Sequence, residues 1–109
     1  NNEARPVGVI DLYDLNFKHG YAAVGILIAE DQDKGQGFAS DALSLLVAYC
    51  SETLELRNLY CQIHGDNHAS VQLFEKAGFE HVGTRKNWLR YKNQYFDELT
   101  YQLCLENKN

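Results

Sequence analysis

Hydrophobic residues near the start of the chain recur at every second position, which is the spacing of β-strands. In residues 21–29, Ala22, Val24 and Ile26 fall on one side, and residues 7–15 are β-rich and mostly apolar. The polar residues 16–20 between these segments end in a glycine and have the chemistry of a turn. The pattern therefore predicts two strands, 7–15 and 21–29, that pair as a hairpin.

The spacing changes to between three and four in residues 38–56, which predicts an amphipathic helix. Its apolar face is formed by Ala39, Ala42, Leu43, Leu46, Val47, Cys50 and Leu54. A short alternating segment, 59–64, follows and predicts a third strand. A strand, a helix and a strand in this order favour a parallel crossover connection.

A second, shorter helix is predicted to begin after Asn67, which is a good N-cap residue, and to run to Ala77. Val71, Phe74 and Ala77 are the candidates for its buried side, and Gly78 is the expected stop. After this helix, apolar and polar residues alternate again in two segments.

Residues 80–91 and 94–105 are predicted to form two further strands around the polar pair Lys92 and Asn93. The predicted order is thus β-β-α-β-α-β-β. This order indicates an α/β fold with a mixed, mostly antiparallel sheet. A length of 109 residues with 45% hydrophobic content fits one domain, residues 1–109.

A net charge of −5 argues against a general nucleic-acid-binding surface, because phosphate neutralisation requires clustered Lys and Arg. The local exception is a basic group in the last hairpin, consisting of Arg85, Lys86, Arg90 and Lys92. The neighbouring Asp97 and Glu98 favour a solvated surface there over a binding patch.

Three cysteines, Cys50, Cys61 and Cys104, each lie within an apolar pattern and are expected to be buried, reduced thiols. This expectation favours a reducing, cytoplasmic environment. No apolar run approaches the roughly 18 residues of a membrane span, and no signal peptide is visible. Neither membrane nor nucleic acid is an expected partner.

A glycine-containing segment, residues 32–40, stands between the second predicted strand and the first helix. Gly35 and Gly37 allow close approach of a ligand, and the first turn of the helix offers free N–H groups, so the segment is suited to bind a phosphate. A plain turn is the alternative. The segment lacks the dinucleotide-binding fingerprint, since Ser40 stands where the third glycine belongs, and it lacks a nucleotide P-loop.

The sequence Gln32-Asp33-Lys34-Gly35-Gln36-Gly37 resembles the Gln/Arg-x-x-Gly-x-Gly/Ala signature of the GCN5-related N-acetyltransferases, the GNAT family. Residues 67–79 resemble a second family segment, Asn-x-x-Ser-x-x-Leu-Tyr/Phe-Glu-Lys-x-Gly-Phe. The likeness extends over residues 7–105 and corresponds to the family's third strand onward. The family's first strand, its first two helices and much or all of its second strand are therefore expected to be missing.

The resemblance implies acetyl-CoA as cofactor and an N-acetyltransferase that transfers acetyl to a primary amine by direct attack through a tetrahedral intermediate. The final hairpin looks most like the branch of diamine/spermidine and ribosomal-protein N-terminal acetyltransferases, so the acceptor is expected to be a polyamine, a diamine or a protein N-terminus. The alternative is a coenzyme A-binding but inactive or truncated module that acts as a binding or oligomerisation unit. A homo-oligomer is a possible assembly.

The family's coenzyme site implies a set of contact residues in this chain. They are Leu27, Ile28 and Ala29 along the strand; Gln32, Asp33, Lys34, Gly35, Gln36, Gly37, Phe38 and Ala39 in the glycine segment; and Asn67, Ser70, Phe74 and Lys76 in the second helix. Main-chain N–H groups near Leu27 or Ile28 are also expected to meet the oxyanion.

The candidate general bases are Glu30, just past the second strand, and His64, at the end of the third. The chain differs from the family at the position of the general acid, because Phe74 lies where many relatives have Tyr. Tyr101, Tyr60 or water is the expected substitute. No metal site is expected, because the spacing of His64 and its neighbouring polar residues suits neither a paired Cys site nor a helical His-Glu-x-x-His site, and a loop with incidental polar residues explains them better.

Overall fold

The computed structural model describes residues 8–28 and 32–105, with the side chains of 10–26 and 37–105. Its elements are β1 (Gly8–Asn16), β2 (Tyr21–Ile28), α1 (Gln32–Glu52), β3 (Asn58–His64), α2 (His68–Lys76), β4 (Glu80–Tyr91) and β5 (Gln94–Cys104). The predicted order of strands and helices is confirmed. None of the described helices is both long and apolar enough to cross a lipid bilayer.

The five strands form one sheet in the order β1-β2-β3-β5-β4. Three of its four strand pairs are antiparallel, and only β2 and β3 run parallel. These two strands are joined by α1, as the predicted crossover requires. The mixed, mostly antiparallel sheet expected from the sequence is thus confirmed.

One face of the sheet, which we call the helix face, carries the hydrophobic core. Leu59, Cys61 and Ile63 of β3 alternate onto this face, and Tyr101 lies opposite Cys61 on β5. They pack in one cluster with α1 and α2, which contribute buried residues such as Leu43. The other face, which we call the open face, carries the intervening residues, including Tyr13, Tyr60, His64, Phe96 and Glu98.

Helix α1 begins at Gln32 rather than at residue 38, so residues 32–37 are helical and do not form a plain turn. Glycine costs about 1 kcal/mol relative to alanine inside a helix, which weakens this first part of α1, whereas the neighbouring Gln and Lys residues are good helix formers. The helix ends at Glu52 rather than at residue 56. Glu55 has a positive φ of 57°, which ends the helical path, and Leu56 beyond it is buried.

Helix α2 matches the prediction closely. The side-chain Oδ1 of Asn67 accepts a hydrogen bond of 3.1 Å from the backbone N–H of Ser70, which satisfies one of the free donors of the first turn. Gly78 has a φ of 98° just after the C-cap, as expected for a left-handed helix stop. The two-residue turn of the last hairpin has positive φ at both Lys92 and Asn93.

Two of the three cysteines are buried as expected, but Cys104 is exposed, and the expectation for this residue is wrong. The reason is the alternation of β5: Leu103 lies opposite Leu59 and faces the core, so Cys104 points to the other side of the sheet. All three thiols are free.

Candidate functional site

The parallel strands β2 and β3 pair only at one end. Their register consists of three residue pairs, from Tyr21 with Asn58 to Ala23 with Tyr60. Beyond this point β2 continues to Ile28 and β3 continues to His64 without pairing with each other. The gap between residues 24–28 and 61–64 is the feature that we call the slot.

The slot leaves one edge of β2 without a strand partner. On its other side β2 pairs with β1 up to Ile28 opposite Gly8, and β3 pairs with β5 up to His64 opposite Glu98. Within the described residues, no strand pairs with β2 on the slot side beyond Ala23. Backbone N–H and C=O groups need partners, so this edge is suited to an extended ligand that binds like an additional strand.

Two helices begin at the same end of the slot. Helix α1 starts at Gln32, four residues after the last residue of β2, and α2 starts at His68, four residues after the last residue of β3. The carboxyl ends of parallel strands lie at the same edge of a sheet, so both helix N-termini are near the open end of the slot. The N–H groups of the first turn of α1 have no partner within the helix, and the partial positive charge of both helix N-termini favours an anion such as a phosphate. In α2, the N–H groups of His68 and Ser70 already donate to Asp66 and Asn67.

The predicted coenzyme residues of α1 fall in its first turns, from Gln32 to Ala39. Gly37 is exposed, and a Cβ atom added there would meet no other atom within 4 Å. Phe38 is also exposed, whereas Ala39 belongs to the core. Ala29 and the candidate base Glu30 lie outside the described residues.

The predicted residues of α2 divide between its two ends. Asn67 and Ser70 are at the N-terminal end near the slot, where Ser70 is buried. Phe74 is 2% exposed and packs edge-to-face on Phe79, with 4.9 Å between ring centroids. Lys76 lies on the exposed last turn, about 13 Å along the helix from Asn67 at 1.5 Å per residue. The structure thus brings Asn67 and Ser70 together and separates them from Lys76.

His64 is the last residue of β3 and lies on the open face. Its Nδ1 accepts a hydrogen bond of 3.3 Å from the backbone N–H of Asp66, and its ring packs on Phe96 at 4.7 Å. These two contacts hold the ring at the end of β3, beside the slot.

Tyr101 lies on the helix face, on β5, and β3 separates it from the slot. Its hydroxyl donates a hydrogen bond of 2.8 Å to Oε2 of Glu75 on α2. Burial is the main cause that raises the pKa of Tyr101, and the bond to Glu75 adds to it. The structure therefore does not bring Tyr101 together with His64.

Tyr60, the other phenol considered as a proton donor, lies on the open face and donates its hydroxyl hydrogen to Oδ2 of Asp14. This hydrogen bond is the main cause that raises the pKa of Tyr60 to about 12. A cavity of about 370 Å³ surrounds the pair at the joined end of β2 and β3, with Tyr21 and Thr100 in its lining.

The sequence alone did not predict the contacts of three residues, which are Glu75, Tyr13 and Glu98. Glu75 lies on α2 and accepts the hydrogen bond from Tyr101. Tyr13 lies against Gly25, where an added Cβ would be 3.3 Å from the ring. Glu98 lies opposite His64. A glycine inside a strand was the one available signal, because it often marks a close approach.

Comparison with known proteins gives one family. Residues 1–80 match the model of the acetyltransferase (GNAT) domain. The chain is 30% identical over 77 residues to the spermidine N(1)-acetyltransferase of Vibrio cholerae, covering 71% of this chain and 44% of that protein. It is 29% identical over 95 residues to the human alpha/beta-tubulin-N-acetyltransferase 9, covering 87% and 40%.

Solved structures give the same result. A probable acetyltransferase superimposes with a TM-score of 0.80 at 27% identity, over 91% of this chain and 55% of that one. The dodecameric spermidine N-acetyltransferase of Vibrio cholerae superimposes with a TM-score of 0.81 at 25% identity, over 93% and 58%. The chain spans about half the length of the curated relatives that it matches.

Proposed function

The chain belongs to the GNAT acetyltransferase family, and from this premise we propose that it transfers the acetyl group of acetyl-CoA to a primary amine. The observation that carries the proposal is the slot, with its unpaired β2 edge and the two helix N-termini at its open end. A polyamine, a diamine or a protein N-terminus is the proposed acceptor.

The residues present fit coenzyme A. The N–H groups of the first turn of α1 would donate to the pyrophosphate, and the absence of a side chain at Gly37 leaves room for its approach. The backbone of Leu27 and Ile28 would hold the pantetheine arm, and Asn67 would bind its amide. When bound, acetyl-CoA supplies an activated thioester.

The chain must also provide for the acceptor. An amine with a pKa near 10 is mostly ammonium at pH 7, and loss of its proton costs about 4 kcal/mol. N–H groups near Leu27 or Ile28 would stabilise the negative charge that develops on the carbonyl oxygen. Phe74 carries no hydroxyl for the departing thiolate, and a thiol pKa near 8.5 makes this group a tolerable leaving group without a dedicated donor.

Coenzyme A titration by calorimetry tests the binding part of the proposal. Gly37→Val should abolish binding, because its side chain would occupy the space through which the phosphates approach. Gly83→Val is the matched control, since a Cβ at Gly83 also meets no atom within 4 Å but lies on β4, away from the slot. Equal affinities in both variants would refute the proposed coenzyme site.

Release of free thiol from acetyl-CoA tests the transfer. Spermidine, putrescine and peptides that start with alanine or serine serve as acceptors. Tight coenzyme A binding without thiol release for any acceptor would favour the second candidate, a coenzyme-binding module without turnover. The missing hydroxyl at Phe74 is the observation that favours this second candidate.

We further propose a cytoplasmic location and self-association. Buried free thiols at Cys50 and Cys61 support the first. The dodecamer formed by the spermidine N-acetyltransferase of Vibrio cholerae supports the second. Light scattering at several protein concentrations tests self-association, and a monomer mass at every concentration would refute it.

A further inference from the structure

Glu98 has an incompletely paired carboxylate. Its side chain is 15% exposed, and Oε1 is buried without a hydrogen-bond partner among the described residues. The nearest cation is Nη1 of Arg85 at 3.8 Å, which is too long for a hydrogen bond. A buried polar atom without a partner is costly, so such an atom in a folded protein requires an explanation.

Arg85 is a loose partner for this carboxylate. Its side chain is 55% exposed, and its guanidinium lies 5.1 Å from the centre of the Trp88 ring. Ion pairs with an exposed partner contribute little stability. Loss of the contact with Arg85 should therefore cost the fold little.

The position of Glu98 relates it to the slot. It lies on the open face of β5, directly opposite His64, the residue that ends the slot side of β3. Neighbouring strands are about 4.8 Å apart, so Glu98 lies one strand away from the slot. From the other side, the ring of Tyr13 lies over Gly25 of β2. Burial is the main cause that raises the pKa of Tyr13, and the charges of Cys61, Asp14, Glu98 and Asp11 add to it in that order.

The acceptor has a restricted approach to the slot. On the helix face, the cluster that includes Leu43 and Phe74 fills the space next to β3. The open face is the accessible side in the described part of the chain, and Glu98 and His64 lie there. Glu98 shares this face with Asp11, which lies opposite Gly25. Of these two carboxylates, only that of Glu98 has a buried oxygen without a hydrogen-bond partner among the described residues.

We propose that Glu98 binds a positively charged ammonium group of the acceptor, and that this group displaces Arg85. The inference rests on the proposed acetyltransferase function and names the residue that selects a cationic acceptor. It explains the unpaired oxygen, because a bound ammonium group would supply the missing donors.

Calorimetric titration of the coenzyme A-saturated chain with spermidine tests this assignment. Glu98→Gln keeps the shape of the side chain and should weaken spermidine binding by roughly tenfold to a hundredfold, the effect of losing one charged hydrogen bond. Coenzyme A affinity should not change. Glu80→Gln is the matched control, because Glu80 is an exposed glutamate on β4. In turnover assays, the KM for spermidine should rise more than kcat falls.

Arg85→Gln provides an independent check, because it should change the spermidine affinity in the opposite direction. Removal of the competing guanidinium should tighten spermidine binding, and weaker binding would contradict the exchange. Equal spermidine affinities in the Glu98 and Glu80 variants would overturn the role of Glu98 while leaving the acetyltransferase function intact. Failure of the unaltered chain to bind coenzyme A would instead overturn the proposed function, and failure to bind spermidine would overturn the ammonium site.

Discussion

Replacement of Gly65 by alanine should destabilise the fold through a backbone clash. Gly65 follows β3, and its N–H donates a hydrogen bond of 2.7 Å to the carbonyl oxygen of Asp97 on β5. An added Cβ would lie 2.8 Å from that same oxygen and 3.2 Å from Cβ of Asp97. Gly65 does not have a positive φ, so the requirement for glycine here comes from close approach rather than from backbone conformation.

The expected cost follows from this geometry. Real Cβ atoms essentially never approach a heavy atom to within 3.0 Å, so β3 and β5 must separate or the hydrogen bond must lengthen. Overpacking of this kind typically costs about 1–3 kcal/mol. For a domain of about 100 residues, 1 kcal/mol shifts Tm by about 4–8 °C. Gly65→Ala should therefore lower Tm by roughly 4–24 °C.

Urea unfolding followed by circular dichroism measures the effect, with Gly83→Ala as the matched control. A Cβ at Gly83 meets no atom within 4 Å, so this variant should remain within about 0.5 kcal/mol of the unaltered chain. If the two alanine variants have the same free energy of unfolding, the close contact between Gly65 and Asp97 is not a constraint on the fold, and the reasoning fails.

Three further predictions concern pH, capping and the buried phenol. Burial raises the pKa of Cys61 from 9.0 to about 12. As the pH rises, the unfolded chain loses this proton first, so the free energy of unfolding should fall by about 1.4 kcal/mol per pH unit between pH 9 and 12. Urea titrations at each pH measure this slope, and Cys61→Ala should reduce it. Asn67→Ala should cost about 0.5–2 kcal/mol in urea unfolding because Ser70 loses its cap, whereas Asn67→Ser should retain most of the stability. Tyr101→Phe should lower the free energy of unfolding by about 1–2 kcal/mol, because the hydrogen bond to Glu75 is lost. The kcat for acetyl transfer should stay within about twofold. A larger fall in kcat would show that Tyr101 takes part in the chemistry.

Local spacing was sufficient to predict most of the fold. The change from a period of two to one near 3.6 located α1, and Asn67 and Gly78 marked both ends of α2 because their roles depend only on nearby backbone. The start of α1 was wrong, since two glycines can either form a turn or continue a helix. The prediction that Cys104 is buried was wrong, because the side of the sheet on which this residue lies depends on strand alternation and register rather than on its own apolar character.

Less of the candidate site could be predicted from the sequence. The two motif segments predicted that Gln32 and Asn67 would be near one ligand, and the structure places the helices that begin there at one end of the slot. The pairing of Tyr101 with Glu75 and the unpaired oxygen of Glu98 depend on contacts between strands and helices far apart in sequence. Such contacts leave no local pattern.

The sheet can also be regarded as two half-sheets that meet along a seam of three residue pairs, from Tyr21 with Asn58 to Ala23 with Tyr60. One half is the hairpin of β1 and β2, and the other contains β3, β5 and β4. A strand-like ligand in the slot would extend this seam. Its binding energy would then oppose separation of the halves, so hydrogen exchange should slow in both halves together, well beyond the residues that touch the ligand.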